Sequence, residues 1–222
     1  MRKLYLLLLL SFFATKSHAQ LTEGDGHVFV KYSYGLVDTA RYNCFSASGE
    51  YFVNPYIGLN YNFDFMFRND RVFQFHTSVG ALAGPPILLI GIFAAIANSD
   101  NDPDDGDFNM GVLGILLGTL ILVAPDGVSF HIPVNYRWDI SPYANVLGLD
   151  YVKNNNLDTK KFKYAMSYGI KTTYLTYSKF TLNAFVETRK VAGQGWSFGG
   201  GFGLGYAIGD VNGTELVEPT GL

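Results

Sequence analysis

The chain has 222 residues, a formal net charge of −3 at neutral pH and a single cysteine. This length fits one domain, the small charge favours neither nucleic acid nor anionic lipid as a partner, and an intramolecular disulfide is impossible. Aromatic residues make up 16% of the chain, charged residues only 16%, and there are 25 glycines. Such a composition is poor in the charge that a soluble surface needs and rich in residues typical of strands and lipid interfaces.

Residues 1–19 have the order of a secretory signal peptide. Arg2 and Lys3 form a basic start, residues 4–13 form an apolar middle, and Ser17 to Ala19 form a small-residue cleavage site. The apolar run is too short to span a bilayer, so we expect cleavage before Gln20 rather than a membrane anchor.

Alternation of apolar and polar residues follows, and it is clearest at 56–67. Apolar residues at 57, 59, 61, 63, 65 and 67 share one face of a strand, whereas glycine and polar residues at 58, 60, 62 and 64 share the other. Similar alternation predicts strands at 27–35, 43–53, 56–67, 71–82, 127–137, 142–153, 162–177, 180–190 and 195–209. Each is long enough to cross an outer membrane, because a tilted spanning strand needs about 9 to 11 residues.

Short turns are predicted between these strands at 54–55, 68–70, 139–142 and 178–179. No strand is followed by an amphipathic helical crossover, so the sheet should be antiparallel. An open edge in hydrocarbon would leave unpaired backbone groups at several kcal/mol each, so the sheet must close. The predicted fold is an all-β membrane protein, a closed antiparallel transmembrane β-barrel of roughly eight to ten strands.

The last predicted strand, Gly195 to Tyr206, alternates aromatic residues with glycine. Together with the signal peptide and the alternating strands, it resembles the small outer-membrane β-barrel proteins of Gram-negative bacteria, the broad class of OmpA-like and OmpX-like barrels. The resemblance covers nearly all of the mature chain. It implies location in the bacterial outer membrane, contact with outer-membrane lipid, and insertion by the barrel-insertion machinery. Members of this class usually finish on an aromatic residue, whereas this chain continues through a polar tail at 211–222.

Residues 85–124 form an insert that does not alternate. Apolar runs at 85–97 and 110–124 flank an acidic linker at 100–107. Each run is shorter than the roughly 20 residues of a spanning helix, and small residues four apart would let two helices pack closely. We therefore predict an apolar helical hairpin between the fourth and fifth strands. The linker departs from the EF-hand calcium pattern, since Asp105 stands where glycine is required, and we interpret it as a solvated loop.

The insert also affects the expected strand count. The four strands before it return the chain to the side of the membrane on which it starts. If the chain also ends on that side, counting back from its end places the start of the fifth strand on the opposite side. One crossing by the insert, as a tenth strand or as a short helix, reconciles the two counts. Ten strands are then favoured over eight, and deletion of residues 86–124 is expected to disrupt the barrel.

Alternation also assigns the side chains that point into the barrel. The expected polar network of the lumen consists of Lys31, Glu50, Asp64, His76, His131, Arg137, Asp150, Lys171, Glu187 and Arg189. Isolated buried charges are costly, so these groups should pair with one another and hold the strands together. The pattern predicts no catalytic residue, no cofactor and no metal ligand.

Two functions remain open from the sequence. The first is a non-enzymatic barrel with a structural, adhesive or narrow-pore, porin-like role. The second is a lipid-modifying acyl hydrolase or transferase, because Ser129 and His131 share a strand face and Glu50 or Asp64 could supply the acid. No histidine falls on the predicted lipid face, where an acyl chain would be presented, so the first function is preferred. Nucleic acid is not expected as a partner, and no soluble or protein partner is indicated.

Overall fold

The computed structural model describes residues 24–97, 106–122, 124–135 and 137–209. The predicted signal peptide at 1–19, residues 100–105 of the acidic linker and the tail at 211–222 lie outside the described residues. The strands are β1 (Gly26–Val37), β2 (Ala40–Asn54), β3 (Ile57–Arg68), β4 (Val72–Ser78), β5 (Gly127–Phe130), β6 (Ile132–Pro133), β7 (Trp138–Asn154), β8 (Thr159–Leu175), β9 (Phe180–Val191) and β10 (Trp196–Ile208). The helices, between β4 and β5, are α1 (Val79–Ala97) and α2 (Gly106–Leu122).

The strands form one antiparallel sheet that closes on itself. β1, β2 and β3 pair in chain order, as do β7, β8, β9 and β10. β1 also pairs with β10 over its whole length, from Gly26 opposite Ile208 to Val37 opposite Ser197. Between β3 and β7 lie β4 and β5, each paired with both, and β6, paired with β7. We call these three the split strand, because together they occupy one position in a ring of eight.

The favoured count of ten strands and the single crossing by the insert are therefore wrong. Alternation predicts separate strands at 71–82 and 127–137, but β4 has only 7 residues and β5 only 4. Each piece spans about half of the wall, and the two halves stack end to end along β3. The predicted helical hairpin after the fourth strand is confirmed. It interrupts a strand instead of linking two.

Register shows that the split strand is continuous. On β3, Asp64 faces His76 and Asn60 faces Gly127, so three β3 residues lie between these pairs. Thr77, Ser78 and Asp126 supply three residues for the three positions. The hairpin thus leaves and re-enters the wall at one height, near the middle of β3.

Asp126 closes the wall at the point where the hairpin leaves it. Its carboxylate accepts a hydrogen bond of 2.6 Å from the N–H of Asn62 on β3. Its carbonyl accepts bonds of 2.9 Å from the N–H groups of Val146 and Leu147 on β7, at a bulge in that strand. Backbone groups that would otherwise meet hydrocarbon unpaired are thereby satisfied.

The two faces of the wall divide as alternation predicts. On β3, Asn60, Asn62 and Asp64 are buried inside the barrel, whereas Phe63 and Phe65 are exposed outside. Exposed apolar side chains recur on the outer face of the other long strands, so the barrel carries an apolar belt. The tryptophans at the starts of β7 and β10 lie at opposite rims and are exposed, as suits the interfaces of a membrane.

The hairpin formed by α1 and α2 is packed through small residues, as the sequence predicts. A Cβ atom on Gly91 would lie 2.4 Å from the backbone nitrogen of Ile115, and one on Gly118 would lie 2.3 Å from that of Leu88. Only glycine permits so close an approach of two helices. α1 begins at Val79, before the predicted insert at 85–124, because the Ser78 hydroxyl accepts the N–H of Ala81 at 2.9 Å and caps the helix.

Candidate functional site in the barrel lumen

Polar side chains fill the lumen in two groups. The first, which we call the Glu50 cluster, consists of His27, Glu50, Ser129, His131, Asp139 and Lys171. The second, which we call the Arg189 cluster, consists of Asp64, His76, Asp126, Asp150, Glu187 and Arg189. Both draw on strands that are distant in the chain, because closure of the sheet turns one face of every strand toward the same interior.

Glu50 is the centre of the first cluster, with a side chain only 1% exposed. Its Oε1 atom lies 2.8 Å from Nε2 of His131 and accepts a hydrogen bond from the Ser129 hydroxyl. Its Oε2 atom lies 2.7 Å from Nζ of Lys171 and 3.7 Å from Nδ1 of His27. A buried carboxylate requires such compensation, since desolvation of the charge is costly.

Gly58 makes room for the contact between Glu50 and Ser129. A Cβ atom at this position would lie 2.7 Å from Oε1 of Glu50 and 2.8 Å from Oγ of Ser129. Any larger residue would push the two side chains apart. The glycine at this position of the inner face of β3 is therefore required by the packing of the lumen.

Ser129, His131 and Asp139 have the order of contacts found in a Ser-His-Asp triad. Oγ of Ser129 lies 3.2 Å from Nε2 of His131, and Nδ1 of His131 lies 2.5 Å from Oδ2 of Asp139. However, the Ser129 hydroxyl donates to Glu50, which also contacts Nε2 of His131. Ser129 is 0% exposed. The nucleophile of such a triad needs a base with a free lone pair and an open side for substrate, and this serine has neither.

The Arg189 cluster is also tightly paired. Arg189 forms an ion pair with Asp64 and lies 3.4 Å from Glu187. Nδ1 of His76 lies 2.6 Å from Oδ1 of Asp150, and its Nε2 lies 3.7 Å from Oδ2 of Asp126. Because Asp126 closes the wall at the base of the hairpin, these contacts tie the hairpin's attachment point to the packed lumen.

The predicted network residues are distributed unequally. Nine lie in the lumen, including Lys31, whose amine donates to Oδ1 of Asn62 at 3.2 Å. Arg137 instead lies at a rim, with its guanidinium 3.1 Å from the ring centroid of Tyr177 and a 3.2 Å hydrogen bond to the hydroxyl of Tyr174. Its predicted place in the lumen is wrong, because the chain turns at 134–137, before the predicted turn at 139–142.

Sequence reasoning missed three charged or titratable residues of the Glu50 and Arg189 clusters. His27 is on the same strand face as Lys31, so extending the alternation of β1 by two steps would have found it. Asp139 lies in β7 rather than in a turn, and alternates there with exposed Trp138 and Ile140. Asp126 belongs to no strand, so no periodic signal could have found it.

The cavities described among the lumen side chains are small. The cavities at the lumen side chains have volumes of about 30 and about 10 Å³. A single water needs roughly 10 to 15 Å³ of such volume. Phe185 lines both cavities, as do Lys31 and Asn62. Among the described residues, no three His, Cys, Asp or Glu side chains are placed to hold a metal ion.

No protein-family model and no curated protein matches the chain. The N-terminal β-barrel domain of OprF from Pseudomonas aeruginosa matches its structure with a TM-score of 0.50 at 11% identity, over 84% of this chain and 100% of that chain. The chain has the fold of a small outer-membrane β-barrel. Ail, the attachment invasion locus protein of Yersinia pestis, matches with a TM-score of 0.45 at 12% identity, over 84% of this chain and 100% of that chain. Neisserial surface protein A matches with a TM-score of 0.46 at 7% identity, over 83% of this chain and 95% of that chain.

The match to the OprF domain confirms the predicted resemblance to the fold of small outer-membrane barrels, and the predicted outer-membrane location agrees with that fold. At such low identities the likeness concerns the fold. Residues of the lumen must therefore be interpreted from their own contacts.

Proposed function

We propose that this chain is a non-enzymatic structural barrel of the outer membrane, a filled cylinder that supports a helical hairpin in the bilayer. The observation that carries the proposal is the filled lumen, whose cavities of about 30 and 10 Å³ leave no room for a solute. Paired charges from strands all around the ring cross-link the wall through its interior. Such a barrel is suited to rigidity rather than to transport.

A structural role is favoured over an adhesive one by the shape of the rims. Turns between consecutive wall strands have two to four residues, from 38–39 at the shortest to 192–195 among the longest. Adhesive contact requires a protein surface of several hundred Å² beyond the membrane. In the described part of the chain, the helical hairpin is the one large element outside the wall, and it leaves the wall within the apolar belt.

A conductance measurement tests the filled lumen. In planar bilayers, the purified barrel is expected to produce no stepwise ion currents, because paired charges and packed side chains block the lumen. The matched variant is Phe185→Ala, which removes a large side chain that lines both cavities. Stepwise currents in the wild type that grow in Phe185→Ala would run through the lumen, and they would overturn the proposal in favour of a narrow pore.

An acyl hydrolase or transferase is the second candidate, and the contacts of Ser129, His131 and Asp139 are the observation in its favour. We expect no lipid hydrolysis by the wild type above the background of Ser129→Ala, because Glu50 occupies the serine hydroxyl and the site is closed. The test measures release of fatty acid from mixed micelles by both proteins, after each is shown to be folded. Hydrolysis by the wild type that is lost in Ser129→Ala would establish the enzyme.

A further inference from the structure

The helical hairpin, α1 with α2, leaves the barrel wall halfway between the rims. Four residues of β3, Ile57 to Asn60, pair with β5 below the exit, and four, Asp64 to Phe67, pair with β4 above it. In an outer-membrane barrel the apolar band is about 25 Å tall, so a point halfway up lies about 12 Å from either interface. The hairpin therefore starts near the centre of the bilayer.

Over residues 79–96 and 111–119, where the exposure of each side chain is described, the outer surface of the hairpin is apolar except at Thr119. Large side chains are exposed on both helices, among them Ile90 and Phe93 at 68% and Leu116 at 63%. α1 carries no charged residue, and within it residues 79–96 are long and apolar enough to cross a membrane, by length and composition. The hydroxyl of Thr119 donates to the carbonyl of Ile115 at 2.8 Å, so this polar group is satisfied within α2.

Contacts with the barrel cover little of this surface. α1 packs mainly on α2, and its few contacts with the barrel are chiefly with β4 and β7, beside the exit. The glycine-lined faces of the two helices pack against each other, so the bulky apolar side chains lie on the faces that point away from this contact. These faces continue the apolar belt of the barrel, since the hairpin leaves the wall within that belt.

We propose that the hairpin lies in the acyl chains of one leaflet, as an oblique wedge beside the barrel, and that phospholipid hydrocarbon is its partner. The inference rests on the structural role proposed above and names what that structure contacts. Helix length sets the angle: α1 has 19 residues, or about 28 Å at 1.5 Å per residue, so it must tilt roughly 65° from the membrane normal to stay within about 12 Å of depth. A helix that starts at the centre cannot cross the bilayer.

Depth-dependent quenching of single fluorescent labels tests the wedge. In a Cys44→Ser background, the full chain would carry one cysteine at Leu82, near the base of α1, or at Phe93, far along it. Each labelled protein is placed in dioleoyl phosphatidylcholine vesicles with nitroxides at shallow or deep acyl positions. Both labels should be quenched by lipid, Leu82→Cys more by the deep nitroxide and Phe93→Cys more by the shallow one, because the two positions differ in depth by about 7 Å at this tilt.

Two matched controls calibrate the measurement. Val30 on the outer face of β1 and Leu157 in the turn after β7 are both 70% exposed. Val30→Cys should be quenched by lipid and protected from an aqueous maleimide, and Leu157→Cys should show the opposite. A Phe93→Cys label that reacts like Leu157→Cys would overturn the inference, because the hairpin would then lie in water.

Two other results would also overturn it. Protection of Phe93→Cys from both lipid and water would mean that protein, such as a second copy, covers the hairpin. Equal depth at Leu82→Cys and Phe93→Cys would mean that the hairpin lies flat at the bilayer centre. The result is independent of the conductance test: a conducting barrel with lipid-quenched labels contradicts the structural role alone, and a sealed barrel with water-exposed labels contradicts the wedge alone.

Discussion

A chain from which residues 79–125 are removed, with Ser78 joined directly to position 126, is expected to fold into a closed barrel. Thr77, Ser78 and residue 126 then fill the three places opposite β3 between the partners of Asp64 and Asn60. The joined segment has the length of one continuous wall strand. This outcome is the opposite of the one that the sequence alone predicts for deletion of 86–124.

The excised chain should also carry Asp126→Ala. In a continuous strand, position 126 lies opposite Tyr61. Tyr61 points outward, because its neighbours Asn60 and Asn62 point inward, and the side chain at position 126 would therefore also point to lipid. A carboxylate near the centre of the membrane costs about 2 to 3 kcal/mol. The same excision with Asp126 retained is the matched control and is expected to insert less well.

Gel mobility with and without boiling, resistance to protease and circular dichroism measure the result. The excised Asp126→Ala chain should keep a heat-modifiable band and should have less helical signal than the full chain. Aggregation of this variant under conditions in which the full chain refolds would show that the hairpin is needed to close the barrel. The continuous-strand interpretation would then be wrong.

The Arg189→Met substitution is expected to destabilise the barrel by about 3 to 5 kcal/mol, because it leaves buried carboxylates without their cation. The side chains of Arg189 and Asp64 are only 6% and 5% exposed, and Glu187 lies 3.4 Å away. Urea unfolding of the barrel in detergent micelles measures the free energy. Lys160→Met, at an exposed position near a rim, is the control and should change it by less than about 1 kcal/mol.

A second substitution distinguishes lost charge pairing from lost packing. Asp64→Leu combined with Arg189→Met removes both partners, so the double variant should be more stable than Arg189→Met alone. An Arg189→Met barrel within about 1 kcal/mol of the wild type would mean that the ion pair contributes little. An unimproved double variant would mean that the volume and hydrogen bonds of Arg189 matter more than its charge.

The side of the wall to which each strand residue points could be predicted from the sequence. Successive side chains of a strand point to opposite faces, so Phe63 outward and Asp64 inward follow from local order alone. The same rule assigned Glu50, His131 and Arg189 to the lumen. The rule failed for Arg137 and Asp139, because the turn was predicted a few residues too late. Arg137 was therefore assigned to a strand and Asp139 to the turn.

Pairing among lumen residues could not be predicted in this way. Arg189 and Asp64 are 125 residues apart, and Lys171 and Glu50 are 121 apart. Which of several inward carboxylates meets a given cation depends on the register of every strand between them and on the closure of the sheet. The contacts of Asp126 are even harder to predict from the sequence. They form only because the interrupted strand leaves backbone N–H groups of β3 and β7 to be paired where the hairpin leaves the wall.

By itself, the sequence determined the barrel class, the apolar outer face and the helical hairpin, because each follows from a local period or from composition. Only the tertiary structure decided that 71–82 and 127–137 share one place in the wall. The physical reason is that strand pairing is non-local: β4 and β5 are each too short to span alone, and they become one strand only through their shared partners β3 and β7. That same pairing decided that the ring has eight places and that the hairpin leaves it at mid-height.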